Sequence, residues 1–231
     1  MQAMILAAGR GERMRPLTDT LPKPLLEVGG KPLIVWHIER LASVGITDIV
    51  INHAWLGHKF AEILGDGSQF DVAIQYSAEE VGLETAGGIA NALALLGEAP
   101  FLVMNGDIWC DWNPMHVMQH LNPLEQGQIQ AWLLMVDNPE HNPQGDFHLD
   151  ANGKLHQDGP EKLTFSGIGL YHPSLFHGIK PGSIAKLAPL LRLAMQQQQV
   201  LGSHFTGQWT DVGTPERLQQ IDHAIRQGLT V

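Results

Sequence analysis

Short apolar runs alternate with amphipathic segments through the first two thirds of this 231-residue chain. The apolar runs cover residues 4–7, 48–52, 72–76, 101–105 and 129–136, and turn residues bound each of them, as is typical of buried parallel strands. Between them, the spacing predicts helices over residues 33–44, 59–64, 88–96 and 114–120. Strand followed by helix, repeated, predicts an α/β fold with a Rossmann-like, mostly parallel mixed sheet and helices on both faces.

The pattern changes after residue 138. Residues 145–172 alternate polar and apolar positions around a turn at 151–153, which predicts a region containing a β-hairpin. A helix over 183–197, a strand-like "GQWTDVG" and a last helix over 214–227 complete the chain. No linker composition separates these parts, so we predict a single domain over residues 1–231.

Composition excludes several function classes. A formal net charge of −10 argues against a nucleic-acid partner, because phosphate backbones require a basic surface. No apolar run approaches the roughly 20 residues that cross a bilayer, so we expect no membrane partner. The single cysteine, Cys110, fits a reducing compartment, and we expect a cytoplasmic protein. Trp36, Trp55 and Met104 are interpreted as core residues.

A glycine-rich and arginine-rich turn follows the first predicted strand. Gly9 and Gly11 allow the backbone to approach a ligand closely, and consecutive amides of such a turn can bind an anion. The turn also carries three arginines, Arg13 among them, and Lys23 follows between two prolines that stiffen its approach. A fixed cation beside a phosphate-binding turn suits transfer at an α-phosphate. The alternative is a solvated surface turn.

Two aspartates lie where a divalent metal could bind. Asp107 follows the apolar strand in "FLVMNGDIW", and Asp211 lies in "WTDVGT". Mg²⁺ prefers oxygen ligands and is usually held by one or two carboxylates together with substrate phosphates. Either aspartate alone could instead be a helix cap or a turn residue.

The motifs "LAAGRGERMRPLT", "PKPL", "LETAGG", "VMNGDIW" and "WTDVGT" together resemble the sugar-1-phosphate nucleotidyltransferase family. The resemblance implies a GT-A-like fold with a nucleotide-binding half (1–137) and a sugar-phosphate-binding portion (138–231). It implies that Arg13 engages the triphosphate and Lys23 the α-phosphate, both as catalytic residues, while Asp107 and Asp211 bind Mg²⁺. Glu12 departs from the family pattern, in which many members have threonine.

The same resemblance implies the remaining contacts. The nucleotide-binding positions it implies are Ala8, Gly9, Gly11, Glu12, Arg13, Lys23, Glu79, Glu84, Thr85 and Gly87. The sugar-phosphate-binding positions are Asn105, Gly145, Glu161 and Ser166. From the residues alone, Thr85 could equally be the N-cap of the following helix.

The implied reaction transfers a nucleotidyl group from a nucleoside triphosphate to a sugar 1-phosphate. Within the family the chain is most similar to small bacterial uridylyltransferases, which implies UTP and N-acetylmuramic acid 1-phosphate as substrates and a place in peptidoglycan recycling. Alternatives are transfer from UTP, dTTP or GTP to glucose or mannose 1-phosphate, and a catalytically silent sensor of nucleotide sugars. Intact Arg13, Lys23, Asp107 and Asp211 favour an enzyme over a sensor.

Overall fold

A computed structural model describes residues 1–228 of the chain. The strands are β1 (Ala3–Leu6), β2 (Glu27–Val28), β3 (Lys31–Pro32), β4 (Asp48–His53), β5 (Ala73–Ala78), β6 (Phe101–Asn105), β7 (Ile108–Cys110), β8 (Ala131–Val136), β9 (His148–Leu149), β10 (Leu155–His156), β11 (Thr164–Tyr171), β12 (Val200–Phe205) and β13 (Trp209–Asp211). The α-helices are α1 (Leu33–Ser43), α2 (His58–Leu64), α3 (Glu84–Leu96), α4 (Leu121–Glu125), α5 (Leu187–Gln196) and α6 (Pro215–Arg226). Within residues 1–228, none of these helices is long and apolar enough to cross a membrane.

Seven strands form the main sheet, in the order β12-β8-β11-β6-β1-β4-β5. β1 pairs in parallel with β4 and β6, and β4 pairs in parallel with β5. β11 runs antiparallel to both of its neighbours, β6 and β8. The predicted mixed, mostly parallel sheet is therefore confirmed. The carboxyl ends of β1, β4, β5 and β6 meet at one edge, which is where ligands of open α/β sheets bind.

Both faces of this sheet are buried, which explains why its strands read as continuous hydrophobic runs. In β1, Ala3 and Ile5 pack in the apolar cluster that contains residues of α1 and α2. Met4 points to the opposite face, where residues of α3 and α5 cover the sheet. Because successive side chains alternate across a strand, a strand covered on both faces needs an apolar residue at each position.

The structure differs from the sequence-based expectations at several elements, among them α3, which begins at Glu84 and not at residue 88, and α5, which begins at Leu187 and not at residue 183. Pro114–His120 is a 3-10 helix that leads into α4, where an α-helix was expected. Pro123 has no N–H to donate to the carbonyl of Gln119, so an α-helix running through this boundary would lose a hydrogen bond. Strand β12 was not expected, because Gly202 interrupts its apolar pattern. A side chain there would meet Leu155 at 2.8 Å.

A two-stranded ribbon of β7 and β13 lies beside the carboxyl end of β6. Its strands are antiparallel, with Asp211 opposite Ile108. A third apolar cluster packs the ribbon against α6 and against the segment that follows the glycine turn. Its buried members are Met14, Leu26, Val28, Leu33, Trp109, Val212 and Ile221. The turn, the ribbon and α6 are thus positioned by one small core.

Candidate active site

A cleft of about 700 Å³ opens at the carboxyl ends of β1, β4, β5 and β6. Small-molecule sites typically occupy about 300–1,000 Å³, so the cleft has room for a nucleotide. Most of the predicted site residues line it. They are Ala8, Gly9, Gly11, Glu12, Arg13, Lys23, Glu79, Glu84, Thr85, Asn105 and Asp107.

The glycine turn after β1 forms one wall of the cleft. Gly11 has φ +63°, and a side chain there would lie 2.9 Å from Thr18 Cγ2 and 3.2 Å from Lys23 Cβ. The Thr18 hydroxyl donates to the Gly11 carbonyl at 2.8 Å. Nothing lies within 4 Å of the position that a Gly9 side chain would take, so the Gly9 backbone is bare toward the cleft. Such a bare backbone permits the close approach of an anion.

The 3-10 turn Glu12–Met14 continues from this glycine turn. Met14 is completely buried, whereas Glu12 and Arg13 are exposed and line the cleft. The buried methionine anchors the turn, so the Arg13 guanidinium is presented to the cleft from a fixed backbone.

Trp55 supports the outside of the glycine turn, and its interpretation as a core residue is wrong. The side chain is 39% exposed, while Met104 is buried as expected. The indole Nε1 of Trp55 donates to the Thr18 carbonyl at 3.2 Å, and the Arg10 guanidinium lies 5.7 Å from the ring centroid. A polar N–H and a cation explain why this large ring stays at the surface.

Lys23 and Asp107 form an ion pair inside the cleft. Lys23 Nζ donates to Asp107 Oδ2 at 2.7 Å. The lysine side chain is 9% exposed and the aspartate side chain 41% exposed. The structure thus joins two predicted site residues from distant segments, and a carboxylate holds the nearly buried ammonium in place.

The ribbon brings the backbones of Asp107 and Asp211 close together, but only Asp107 lines the cleft, and Asp211 lies outside the lining. Gly106 donates its amide to the Leu6 carbonyl at 2.8 Å, and a side chain on Gly106 would lie 2.8 Å from that same oxygen. Asp107 therefore follows directly from the contact between the ends of β6 and β1. Its carbonyl accepts from the Val212 amide at 2.9 Å, which places Asp211 beside it on the partner strand.

Two cationic or basic side chains surround the Asp211 carboxylate. Asp211 Oδ1 contacts Arg217 Nη1 and lies 3.0 Å from His141 Nε2. Arg217 is in the first turn of α6, and its amide donates to the N-cap hydroxyl of Thr214 at 3.3 Å. The cap therefore directs Arg217 back toward the carboxylate.

A loop between β5 and α3 forms the opposite wall of the cleft. Glu79 follows β5 directly, and its carboxylate accepts from Asn52 Nδ2 at 2.6 Å and from the Leu83 amide at 2.9 Å. α3 begins at Glu84 with Leu83 at its N-cap, so the alternative interpretation of Thr85 as the cap is wrong. Glu84 and Thr85 both line the cleft.

Gly87 and Ser166 lie outside the cleft lining, and the structure shows what surrounds them. A side chain on Gly87 would lie 2.3 Å from the Ser183 carbonyl, so this glycine permits close packing of α3. Ser166 is 1% exposed, and its hydroxyl accepts from the Ile168 amide at 3.1 Å. The assignment of Gly87 to the nucleotide and of Ser166 to the sugar phosphate stays a prediction.

Gly145 and Glu161 also lie outside the cleft lining. Gly145 has φ +63°, and a side chain there would lie 2.7 Å from the Lys162 carbonyl, so the backbone of this loop requires glycine. Glu161 is exposed, and its carbonyl accepts from His148 Nδ1 at 2.7 Å. Their contact with a sugar phosphate stays a prediction.

The sequence interpretation did not identify Asn52, which lines the cleft, or His37, which supports the cleft from α1. Asn52 ends the predicted strand 48–52, so the rule that ligands bind at strand ends could have indicated it. His37 is completely buried in α1, and its Nε2 donates to the Ile108 carbonyl at 2.8 Å. Burial lowers the pKa of His37 to about 4, so the imidazole is neutral and supports the residue next to Asp107. Its position in the apolar pattern of α1 gave no sign of this contact.

Comparison with known proteins identifies the family of this chain. A family profile described as nucleotidyl transferase matches residues 2–228. The chain is 57% identical over 223 residues to an N-acetylmuramate alpha-1-phosphate uridylyltransferase of Neisseria meningitidis serogroup B, covering 95% of this chain and 96% of that protein. It is 30% identical over 225 residues to a mannose-1-phosphate guanyltransferase of Schizosaccharomyces pombe, covering 94% of this chain and 62% of the longer protein.

Among solved structures, the fold is similar to a Bacillus anthracis protein assigned as a glucose-1-phosphate thymidylyltransferase. The TM-score is 0.84 with 22% sequence identity, and the alignment covers 98% of this chain and 95% of that chain. At this identity the likeness concerns the fold alone, and it confirms the predicted fold class. The profile match over nearly the whole chain and the high identity to a uridylyltransferase lead to one conclusion: the chain belongs to the nucleotidyl transferase family and is a nucleotidyltransferase.

Proposed function

We propose that this enzyme transfers UMP from UTP to N-acetylmuramic acid 1-phosphate and releases pyrophosphate. The observation that carries the proposal is the 57% identity, over 95% of the chain, to a uridylyltransferase named for that sugar phosphate. The proposed reaction belongs to peptidoglycan recycling in the cytoplasm. A buried free cysteine, Cys110, is compatible with such a reducing compartment.

In the proposed reaction, a phosphate oxygen of the sugar 1-phosphate attacks the α-phosphorus of UTP. A new phosphorus–oxygen bond forms as the bond to the departing pyrophosphate breaks. The attacking oxygen is already anionic, so no general base is required. Positioning and charge stabilisation then supply most of the acceleration.

Three groups of this chain are proposed to carry that stabilisation. The bare backbone around Gly9 and Gly11 binds the triphosphate, and Arg13, exposed to the cleft, neutralises the leaving pyrophosphate. Lys23 contacts the α-phosphate. Its ammonium is already fixed by Asp107, so little side-chain entropy remains to be lost when the substrate binds.

The Asp107 and Asp211 carboxylates fit a divalent metal such as Mg²⁺. Both supply oxygen atoms, and the ribbon of β7 and β13 brings their backbones together through the bond from the Val212 amide to the Asp107 carbonyl. Across residues 1–228, no group of three or more His, Cys, Asp or Glu side chains is arranged to hold a metal ion. Substrate phosphates and water would therefore complete the ligands, which is how Mg²⁺ is commonly bound. When bound, the metal supplies positive charge at the phosphates.

Other residues that line the cleft are proposed to contact the remaining parts of the substrates. Glu84 and Thr85 are proposed to contact the base and ribose, and Asn105, at the end of β6, the sugar phosphate. Gly145, Glu161 and Ser166 are proposed as further sugar-side positions. None of these three residues lines the cleft.

The test is a matrix of initial rates of pyrophosphate release. UTP, dTTP, GTP and CTP are each paired with the 1-phosphates of N-acetylmuramic acid, glucose and mannose, with and without Mg²⁺. We expect the highest kcat/KM for UTP with N-acetylmuramic acid 1-phosphate, and only in the presence of Mg²⁺. A higher kcat/KM for another pair would replace the proposed substrates, and absence of release with every pair would support a silent sensor.

The Asp107→Asn variant tests the metal assignment, and Asp111→Asn serves as its matched control. Asp107 precedes β7 and Asp111 follows it. The Asp111 carboxylate accepts from the Gln208 amide at 2.9 Å, and Asp111 does not line the cleft. We expect Asp107→Asn to lose turnover while it keeps a cooperative unfolding transition. Asp111→Asn should keep wild-type turnover. Wild-type turnover in Asp107→Asn would remove the metal assignment.

A further inference from the structure

A chain of three hydrogen bonds connects the two walls of the cleft. Asn52 Oδ1 accepts from the Ala7 amide at 2.9 Å, and Asn52 Nδ2 donates to Glu79 Oε1 at 2.6 Å. Glu79 Oε2 then accepts from the Leu83 amide at 2.9 Å. Asn52 is 3% exposed and Glu79 8% exposed, so the bonds are shielded from water. The chain therefore links the end of β1 to the start of α3 through side chains of two other strand ends.

The order of donors and acceptors along these three hydrogen bonds leaves little choice of side chain at positions 52 and 79. Between a backbone donor at Ala7 and a backbone donor at Leu83, one residue must accept and donate, and the other must accept twice. An amide side chain meets the first requirement and a carboxylate the second. Gly88 lies over the pair, and a side chain there would be 2.8 Å from both Asn52 Nδ2 and Glu79 Oε1. Position 88 therefore has no room for a side chain above the pair.

The two ends of this chain of hydrogen bonds lie next to the two parts of the cleft that are proposed above to bind the triphosphate and the base. Ala7 immediately precedes the turn that carries Gly9. Leu83 immediately precedes Glu84, whose φ is +61°. A non-glycine residue in this left-handed region is strained and needs surrounding structure to hold it. The bond from Leu83 to Glu79 closes the loop that contains the strain.

We propose that Asn52 and Glu79 are a positioning pair, which sets the separation between the phosphate turn and the base-side loop before UTP binds. Glu79 then acts through Leu83 and Asn52, not by contact with the base. The inference rests on the proposed function, because it assumes that a nucleoside triphosphate spans the two walls.

The competing interpretation is that Glu79 reads the base directly. Both of its oxygens already accept from protein donors. Uracil presents one N–H between two carbonyl oxygens, and a carboxylate can only accept hydrogen bonds. A carboxylate placed against that edge would therefore face at least one carbonyl oxygen without a donor between them.

A reciprocal exchange separates these interpretations. In Asn52→Asp, two carboxylates face each other. In Glu79→Gln, two amide N–H groups compete for one acceptor. The double variant restores every bond: the carboxylate introduced at position 52 accepts from Ala7 and from the introduced glutamine amide, whose oxygen accepts from Leu83. We expect each single variant to lower kcat/KM for UTP by about 10- to 100-fold, which is the effect of one unpaired buried polar group.

We expect the double variant to recover to within about 3-fold of the wild type, since all three bonds return. The KM for the sugar phosphate and the preference among triphosphates should stay unchanged in all three proteins. Asn91→Asp is the matched control, because Asn91 is on α3, contacts Ser77 Oγ at 3.3 Å and lies outside the cleft lining. Rates are compared well below the lowest Tm, so that a difference in stability does not enter.

Two results would overturn the positioning pair. One is a double variant no more active than Glu79→Gln. The other is a Glu79→Gln variant whose preference shifts to another triphosphate, which would mean that Glu79 reads the base. If Asn52→Asp does not fold, Glu79→Gln and the double variant still decide the question. If the wild type prefers another triphosphate, the comparison uses that one, so failure of the proposed function is distinguished from failure of the pair.

Discussion

Asp107→Ala is expected to destabilise the protein more than Lys23→Met does, although the two side chains form one ion pair. The reason is their unequal burial: the lysine side chain is 9% exposed and the aspartate side chain 41% exposed. Removing the aspartate leaves an ammonium group that water reaches poorly. Removing the lysine leaves a carboxylate that water can hydrate, and methionine keeps most of the packing.

The expected magnitudes follow from that difference. Loss of the charged partner of a nearly buried group lowers the free energy of unfolding by about 1.5–3 kcal/mol, which we assign to Asp107→Ala. Loss of a partner from a half-exposed carboxylate is expected to change it by less than about 1 kcal/mol in Lys23→Met. For a chain of this size, each 1 kcal/mol shifts Tm by about 2–4 °C, so Asp107→Ala should melt about 3–12 °C below the wild type.

Urea and thermal unfolding of the wild type, both single variants and the double variant measure this ranking. In the double-mutant cycle, Asp107→Ala should have little further effect once Lys23 is replaced by methionine, because no buried ammonium remains. Both single variants lose turnover under the proposed mechanism, so stability reports on the pair independently of activity. A Lys23→Met variant as unstable as Asp107→Ala would refute the reasoning from burial.

Three further predictions concern residues around the site. Burial lowers the pKa of His37 to about 4 from the 6.5 of the unfolded chain, so the unfolded chain binds a proton between these values. The free energy of unfolding should therefore fall by up to about 3 kcal/mol as the pH drops through that window, and urea titrations of His37→Gln should show a flatter dependence. Gly9→Ala should keep the wild-type Tm but raise the KM for UTP. Gly11→Ala, at φ +63°, should lose about 1–2 kcal/mol of stability. Equal Tm values for the two variants would contradict this prediction. Burial raises the pKa of the Cys110 thiol to about 12, so iodoacetamide should alkylate it at pH 8 only after unfolding, which mass spectrometry can follow; rapid labelling of the native protein would contradict its burial.

Much of the main sheet could be predicted because its strands are covered on both faces. β6 was predicted with its observed bounds, and β4 to within one residue. β12 was not predicted, because Gly202 interrupts its apolar pattern. That glycine makes room for Leu155, a residue that is distant in the sequence. The second β-rich run of the hairpin region was also not foreseen as β11, a central strand between β6 and β8. Local patterns do not specify which strands pair.

The candidate site was predictable as a set of positions but not as a set of contacts. The glycine turn and Asp107 follow apolar strands, so the rule for strand ends indicates them directly. The pairing of Lys23 with Asp107, and of Asp211 with Arg217, depends on how the ribbon and α6 pack together. Trp55 was assigned to the core, and the hydrogen bond to Thr18 that keeps it at the surface has no local signal in the sequence.

The most direct test of the central claim is the stoichiometry of a single reaction. Purified enzyme is incubated with UTP, Mg²⁺ and N-acetylmuramic acid 1-phosphate, and the UDP-sugar and pyrophosphate are measured in the same sample. The account predicts equal amounts of both products, formed only when the sugar phosphate is present. Pyrophosphate without UDP-sugar, or neither product, would contradict the proposed nucleotidyl transfer to this sugar.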